Sequence, residues 1–313
     1  MTKSEIGAKK RNYINDALNL ILLSLTVLFS VTLSPKISFF VKEGLTLCFE
    51  AIIGSVFPFM IITDAISQSL KFEDSYTLKK LFERLFKING RAVSAFILGA
   101  VCGFPVGVKL AADMYKRGVI NKDECERLIG FSSNMGPAFI ISGVGAALCG
   151  SVTTGIILYA VALISAAISG AVLGLQKNPS SISSSSKNSV FSLTDSIKSA
   201  TKSTVTICGF IIFFSAVCGV LSILVKNDFL CALTLPFFEI SNATKKISAL
   251  SFIPKNTKLI IIAFSVSFSG LSIYMQAKSF FEKAEISMKP YLEAKLLSGI
   301  ISAFIMAVLT LAI

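Results

Sequence analysis

The sequence predicts an all-α fold: a polytopic transmembrane helical bundle of two related halves with broken or re-entrant segments. Three observations predict it. Of 313 residues, 53% are apolar and only 15% charged, where a soluble domain carries about 25% charged residues; mean hydropathy is +0.75. Several apolar runs reach the ~20 residues that cross ~30 Å of hydrocarbon at 1.5 Å per residue. Proline and glycine interrupt those runs in both halves of the chain.

Composition also excludes function classes. The net charge of +12 does not predict nucleic-acid binding, because the lysines and arginines flank apolar runs and lack interleaved aromatics. That is the pattern of cytoplasmic loops facing anionic lipid. The absence of histidine removes His-based acid–base catalysis and metal ligation. The seven cysteines are scattered without a C-x-x-C pair, as small buried residues rather than a disulfide or zinc framework. No P-loop, H-E-x-x-H or G-x-S-x-G motif is present. No enzyme activity, metal or cofactor is expected.

In order, residues 1–44 hold a basic start (Lys3, Lys9, Lys10, Arg11) and the apolar run Ile14–Leu33. That run is longer than a signal-peptide core and lacks an A-x-A site, so it reads as a retained first span with the amino end cytoplasmic. Residues 45–175 form the first repeat. It opens with a span, Leu45–Leu70, containing Pro58 and Asp64. The basic stretch Lys71–Arg91 follows, then the apolar run Ala92–Leu110 broken at Gly103-Phe104-Pro105, then the basic stretch Lys109–Arg127. If the broken run turns back at mid-depth, both basic stretches stay on one side, as the positive-inside tendency favours. Asn121 with Asp123 and Glu124 marks a helix start. The next run is interrupted at Ser132-Ser133-Asn134-Met135-Gly136-Pro137, and Thr153–Leu175 is a clean span rich in small residues.

The Ser-rich stretch 176–202 reads as a linker. The second repeat, 203–313, holds a span at Ser203–Val225 and an apolar stretch, Phe229–Ile240, that contains Pro236 and Glu239. After a basic loop, Lys245–Lys258, comes the run Leu259–Met275, broken around Ser267-Phe268-Ser269-Gly270, and the last span, Tyr291–Ile313. The break at 102–107 is matched to one at 267–272, an offset of about 165 residues. Interrupted segments in both halves are the sequence mark of a transporter-like site at a repeat interface.

Gly103-Phe104-Pro105-Val106-Gly107, Asp123-Glu124-Cys125-Glu126-Arg127-Leu128 and Asn134-Met135-Gly136-Pro137 resemble the YlbJ-type sporulation integral membrane proteins. Pro236-Phe237-Phe238-Glu239-Ile240 and Phe268-Ser269-Gly270 to Gln276 fit the same family, so the resemblance runs from about Leu45 to the end. Phe104 stands where a tyrosine is commoner in that family, which removes a hydroxyl. The resemblance implies a nucleoside-recognition or gate domain like those of concentrative nucleoside transporters and the membrane part of ferrous-iron transporters. It also implies a role in spore-cortex assembly, in the cytoplasmic or forespore membrane of an endospore former. Expected partners are the lipid bilayer, a small polar solute of nucleoside type, a coupling ion, and a second copy or other sporulation membrane proteins.

The candidate solute-binding residues are Gly103, Phe104, Pro105, Gly107, Ser132, Ser133, Asn134, Gly136, Ser267, Ser269, Gly270 and Gln276. The candidate ion or charge-pair residues are Glu239, Lys109, Asn242 and Asp64. Each has a plainer reading. Proline and glycine set ordinary kinks in membrane helices, Asn134 and its serines can be interhelical glue, and Asp64 and Lys109 can snorkel to the interface. Glu239 reads either as a cation or proton site or as the partner of Lys109 across the bundle.

Overall fold

The computed structural model describes residues 34–69, 75–175, 177–179, 192–281 and 284–312. The expected first span, Ile14–Leu33, and positions 176 and 180–191 of the Ser-rich stretch lie outside the described residues. Secondary structure among the described residues is helical throughout, so the fold is all-α. Among the described residues, four helical stretches are long and apolar enough to cross a membrane: Val152–Gly174, Leu193–Leu224, Lys255–Ser279 (broken at Ser269) and Lys289–Leu311. The protein is a multi-pass membrane protein.

Helices α1 (Ser34–Leu47) and α2 (Gly54–Ser69) are joined by a wide helical turn, Cys48–Ile53, and pack on the long helix Leu193–Leu224. Helix α3 (Tyr76–Phe86) is capped by Ser75 and ends at Lys87 in the left-handed conformation. It stands at 100° to the following segment. One of its faces buries Phe82 and Phe86 while Leu78, Leu81 and Leu85 stay exposed, the pattern of a helix lying along a membrane surface.

Helix α4 (Val93–Cys102) and helix α5 (Val106–Lys116) flank the first break. Along one straight helix, residues 99 and 107 would stand ~12 Å apart. Here a methyl group added at Gly99 would sit 2.9 Å from Gly107 Cα, so the chain doubles back and α4–α5 is a hairpin. Its arms of 10 and 11 residues reach ~15 Å each, half a bilayer. That is the geometry expected of a re-entrant segment.

Helix α6 (Lys122–Ser132) opens with a capping box in which Asn121 and Glu124 exchange side-chain and backbone hydrogen bonds. Arg127, 3% exposed, donates to the Phe86 and Lys87 carbonyls at 2.8 and 2.9 Å and to Asp123 at 3.0 Å. Glu124 accepts from the Asn89 amide at 2.8 Å and Glu126 from the Ser287 amide at 2.8 Å. The Asp123–Arg127 motif is therefore a clasp that fixes the corner between α3 and α4. After the second break comes α7 (Ala138–Leu148), whose hydrogen bonds run i→i+5, then α8 (Val152–Gly174) returning beside it.

In the second half, α9 (Leu193–Leu224) begins ten residues before the expected Ser203, at a Ser192 cap accepting from the Asp195 amide. Helix α10 (Asp228–Thr234) continues as a tight turn, Leu235–Phe237, and α11 (Ile240–Ala249) follows. Lys246 of α11 pairs with Asp228 at the start of α10, 2.6 Å apart. The chain has doubled back again about Phe237, giving a second hairpin. Helix α12 (Lys255–Phe268) breaks at Ser269 into α13 (Gly270–Ser279), and α14 (Lys289–Ala312) packs along α12, α8 and α6. Serines tie these helices: Ser298 meets Ser165 at 3.2 Å and Ser302 donates to the Ala263 carbonyl at 3.0 Å.

The elements repeat in order: hairpin, broken helix, returning helix. Element for element, the starts of α4–α8 match those of α10–α14 at an offset of about 135. This corrects the expected offset of about 165. The break at 103–105 has its counterpart at 235–239, and that at 133–137 has its counterpart at 267–270. The similarity of the two glycine-containing breaks at 102–107 and 267–272 masked the order of elements.

Candidate functional site

Each hairpin tip packs against the break of its own half. At the first tip, Gly103 has φ +79° and the Phe104–Pro105 peptide is cis. A side chain on Gly103 would lie 2.5 Å from the backbone of Gly136, so the two breaks touch main chain to main chain. Gly107 makes room for the Ser132 carbonyl oxygen, 2.2 Å from where its Cβ would be. At the second tip, Ser269 has φ +72° and Gly270 φ +77°. The Ser272 amide donates to the Phe238 carbonyl at 2.8 Å. A freed backbone group in hydrocarbon costs several kcal/mol when unsatisfied. In the second half one break supplies the partner of the other.

The two tips, the break of the first half and Ile273 of α13 meet around one cavity of about 140 Å³, lined by Cys102, Phe104, Gly136, Glu239, Ser241 and Ile273, with α2 and α9 closing it. Phe104 touches all three apolar clusters of the protein; its ring serves as a wall. Glu239 is 2% exposed and caps α11. Its carboxylate accepts from the Ser241 amide at 3.0 Å, the Asn242 amide at 2.7 Å and the Asn242 side-chain amide at 2.7 Å. Asn242 also donates to the Ser215 hydroxyl at 3.2 Å. The positive end of the α11 dipole and three N–H donors hold the carboxylate, and among the described residues no cation pairs with it.

That arrangement corrects one of the two expectations for Glu239. Lys109 does not reach it: the Lys109 ammonium is 2.5 Å from Asp64 on α2, with side chains 9% and 14% exposed. Asp64 is thus paired within the protein. It is the inward partner of Lys109, because α2 packs on the first hairpin, where Thr63 also reaches Cys102.

Behind the cavity lies a polar layer. Ser132, Ser133, Asn134, Ser267, Ser269 and Gln276 are all buried. Asn134 donates to the Phe131 carbonyl at 2.8 Å, capping its own helix, and Ser269 turns towards the Val266 carbonyl. Gln276 donates to Ser272 at 3.0 Å. Among the described residues, the Ser132 and Ser267 hydroxyls and the Gln276 carbonyl oxygen have no partner. Ser133 and Ser267 occupy equivalent places in the two halves, each three residues before the glycine of its break.

Sequence reading missed Lys295. It lies inside the last span, 2% exposed, and its ammonium donates to the Ser133 carbonyl. Tyr291, one turn earlier, meets the Ser133 hydroxyl at 3.4 Å. No acidic residue among those described pairs with Lys295. The signal was a lysine within an apolar run, where charge is expensive and rarely idle.

No family model matches the chain, and no solved structure matches it. Among curated proteins, it is similar to sporulation integral membrane protein YlbJ of Bacillus subtilis (strain 168), 24% identical over 305 residues that cover 84% of this chain and 74% of the relative.

Proposed function

We propose that this protein is an integral membrane component of spore formation that moves a small polar solute through the site where its four breaks meet. The similarity to a sporulation integral membrane protein supports the sporulation role, and the site supports the transport role. The observation that carries it is Glu239: a buried carboxylate without a counter-cation, on the wall of a cavity built from both hairpins. Removing a charge from water costs several kcal/mol, and a protein of this design keeps such a group where an ion or proton is bound and released.

In this reading Glu239 and Asn242 form the coupling-ion or proton site. The solute contacts the exposed backbone and hydroxyls of the breaks when the hairpins part from the broken helices. A nucleoside-like solute, which the family resemblance implies, has the acceptors for Ser132, Ser133 and Ser267. Lys295 favours acceptor-rich or acidic groups over cations. The protein acts without covalent chemistry and needs no resident metal or cofactor. A role as a non-transporting membrane scaffold is the rival, since the breaks also satisfy one another.

Solute uptake into liposomes containing the purified protein separates the two. Glu239→Gln keeps the shape and one acceptor oxygen, loses the charge, and turns an NH2 donor towards one of the N–H groups that the carboxylate accepts from. Transport predicts uptake in the wild type and a loss of at least tenfold in a variant that still purifies as a folded protein. No uptake of any nucleoside or small acid by the wild type, with full sporulation supported by Glu239→Gln, would end the transport reading.

A further inference from the structure

A second cavity lies at the charged end of the bundle, apart from the site above. It has a volume of about 200 Å³ and sits between α5, the first turns of α9 and the end of α13, room for on the order of six waters at ~30 Å³ each. Its wall is polar. Lys109, Asp113 and Lys116 come from α5, and Ser199, Lys202 and Ser203 from α9. The three α9 residues are spaced i, i+3, i+4, which puts them on one helical face, so a single rigid element presents two hydroxyls and an ammonium together.

The charges do not cancel within the wall. Lys109 is held by Asp64 at 2.5 Å. That leaves Lys116 and Lys202, both exposed, with Asp113 as the remaining carboxylate. Neither lysine forms an ion pair among the described residues. The Ser199 and Ser203 hydroxyls likewise have no side-chain partner there, whereas Thr206 nearby is bonded to the Lys202 carbonyl.

The geometry points to a binding site for a phosphate-class anion, with Lys116 and Lys202 supplying charge and Ser199 and Ser203 supplying hydroxyl donors. A metal cation is disfavoured by three ammoniums. A neutral solute would leave one of them uncompensated, since Asp64 offsets Lys109 and Asp113 offsets one more. A phosphate presents several oxygens to separate donors at once, and lysine is a recurrent point-charge partner for it. Basic pockets between membrane helices take anionic lipid headgroups in this way, and free phosphate offers the same chemistry. Asp113 lies within the same wall and sets a limit on how much negative charge the pocket accepts.

The test uses the full chain purified in a neutral detergent. Its melting temperature is followed on adding phosphatidylglycerol, phosphatidylcholine or inorganic phosphate, at ionic strength fixed with chloride. A rise with phosphatidylglycerol alone identifies a lipid headgroup. A rise with inorganic phosphate as well identifies the free anion. Phosphatidylcholine and chloride leave the melting temperature unmoved in either case. Lys116→Gln with Lys202→Gln weakens the effect about tenfold or more, while Lys80→Gln with Arg84→Gln on α3 keeps it. Should the double variant elute as aggregate, Lys202→Gln alone carries the comparison. No response to either anion, or an undiminished response in the lysine variants, overturns the proposal. The site does not depend on transport: Glu239→Gln retains the response.

Discussion

Asp64 and Lys109 lie 45 positions apart and meet at 2.5 Å with little solvent around either side chain. Removing one partner of such a buried pair strands the other, a loss of ~3–5 kcal/mol, whereas removing both is often nearly neutral. Lys109→Met is therefore expected to lower stability by about 3 kcal/mol, and Asp64→Asn added to it should recover most of that loss. Thermal unfolding in one detergent checks this; additive losses would show that the contact carries no coupling. Both residues were legible in the sequence as charges in apolar runs, but their partnership was not. Pairing depends on how α2 leans on the hairpin, and no local spacing encodes that. Glu239 was legible for the same reason, with Ser241 and Asn242 already beside it. Lys295 carried the same signal but sat near the start of a run that reads as an ordinary span.

At the scale of elements, close backbone approach governs the first hairpin. A methyl group on Gly107 would press on the Ser132 carbonyl, whereas one on Gly209, in the middle of α9, meets nothing within 4 Å. Gly107→Ala is expected to destabilise by ~1–3 kcal/mol through forced backbone shifts. Gly209→Ala should be neutral or gain up to ~1 kcal/mol from helix propensity. Parallel melting curves of the two variants test this, and equal effects would contradict the tight crossing of α4, α5 and α6. The hairpin itself was readable from Gly103-Phe104-Pro105 and the flanking basic stretches, because proline and glycine act locally. The start of α9 was readable too, in Ser192 and Asp195, a cap with an acid in the first turn. The serine run before it drew the boundary too late. The clasp made by Arg127 was not readable, since its acceptors are main-chain carbonyls 40 and 41 positions away.

At the scale of the molecule, the order of elements fixes a symmetry that the residue match at 102–107 and 267–272 obscured. Starting from the foot of the first hairpin, the broken helix α6–α7, then α8, then α9 each traverse the bundle before the second hairpin begins. Helix α8 has 23 residues, ~35 Å, and α9 has 32, ~48 Å, enough for a full crossing each. End-to-end contacts agree. Lys177 after α8 pairs with Asp123 at the start of α6, and Ser287 before α14 meets Glu126; at the other end Asn256 reaches the Thr310 carbonyl. Three crossings are an odd number, so the two hairpins should enter from opposite faces, the arrangement of inverted repeats with a site at their interface. In a background with the seven native cysteines replaced, Lys122→Cys and Lys226→Cys place thiols at the feet of the two hairpins, on exposed side chains. A membrane-impermeant thiol reagent is expected to reach one from outside intact cells and the other only after the membrane is opened. Reaction of both from the same side would mean that one of the three segments does not cross, and the two halves would then share an orientation rather than oppose each other.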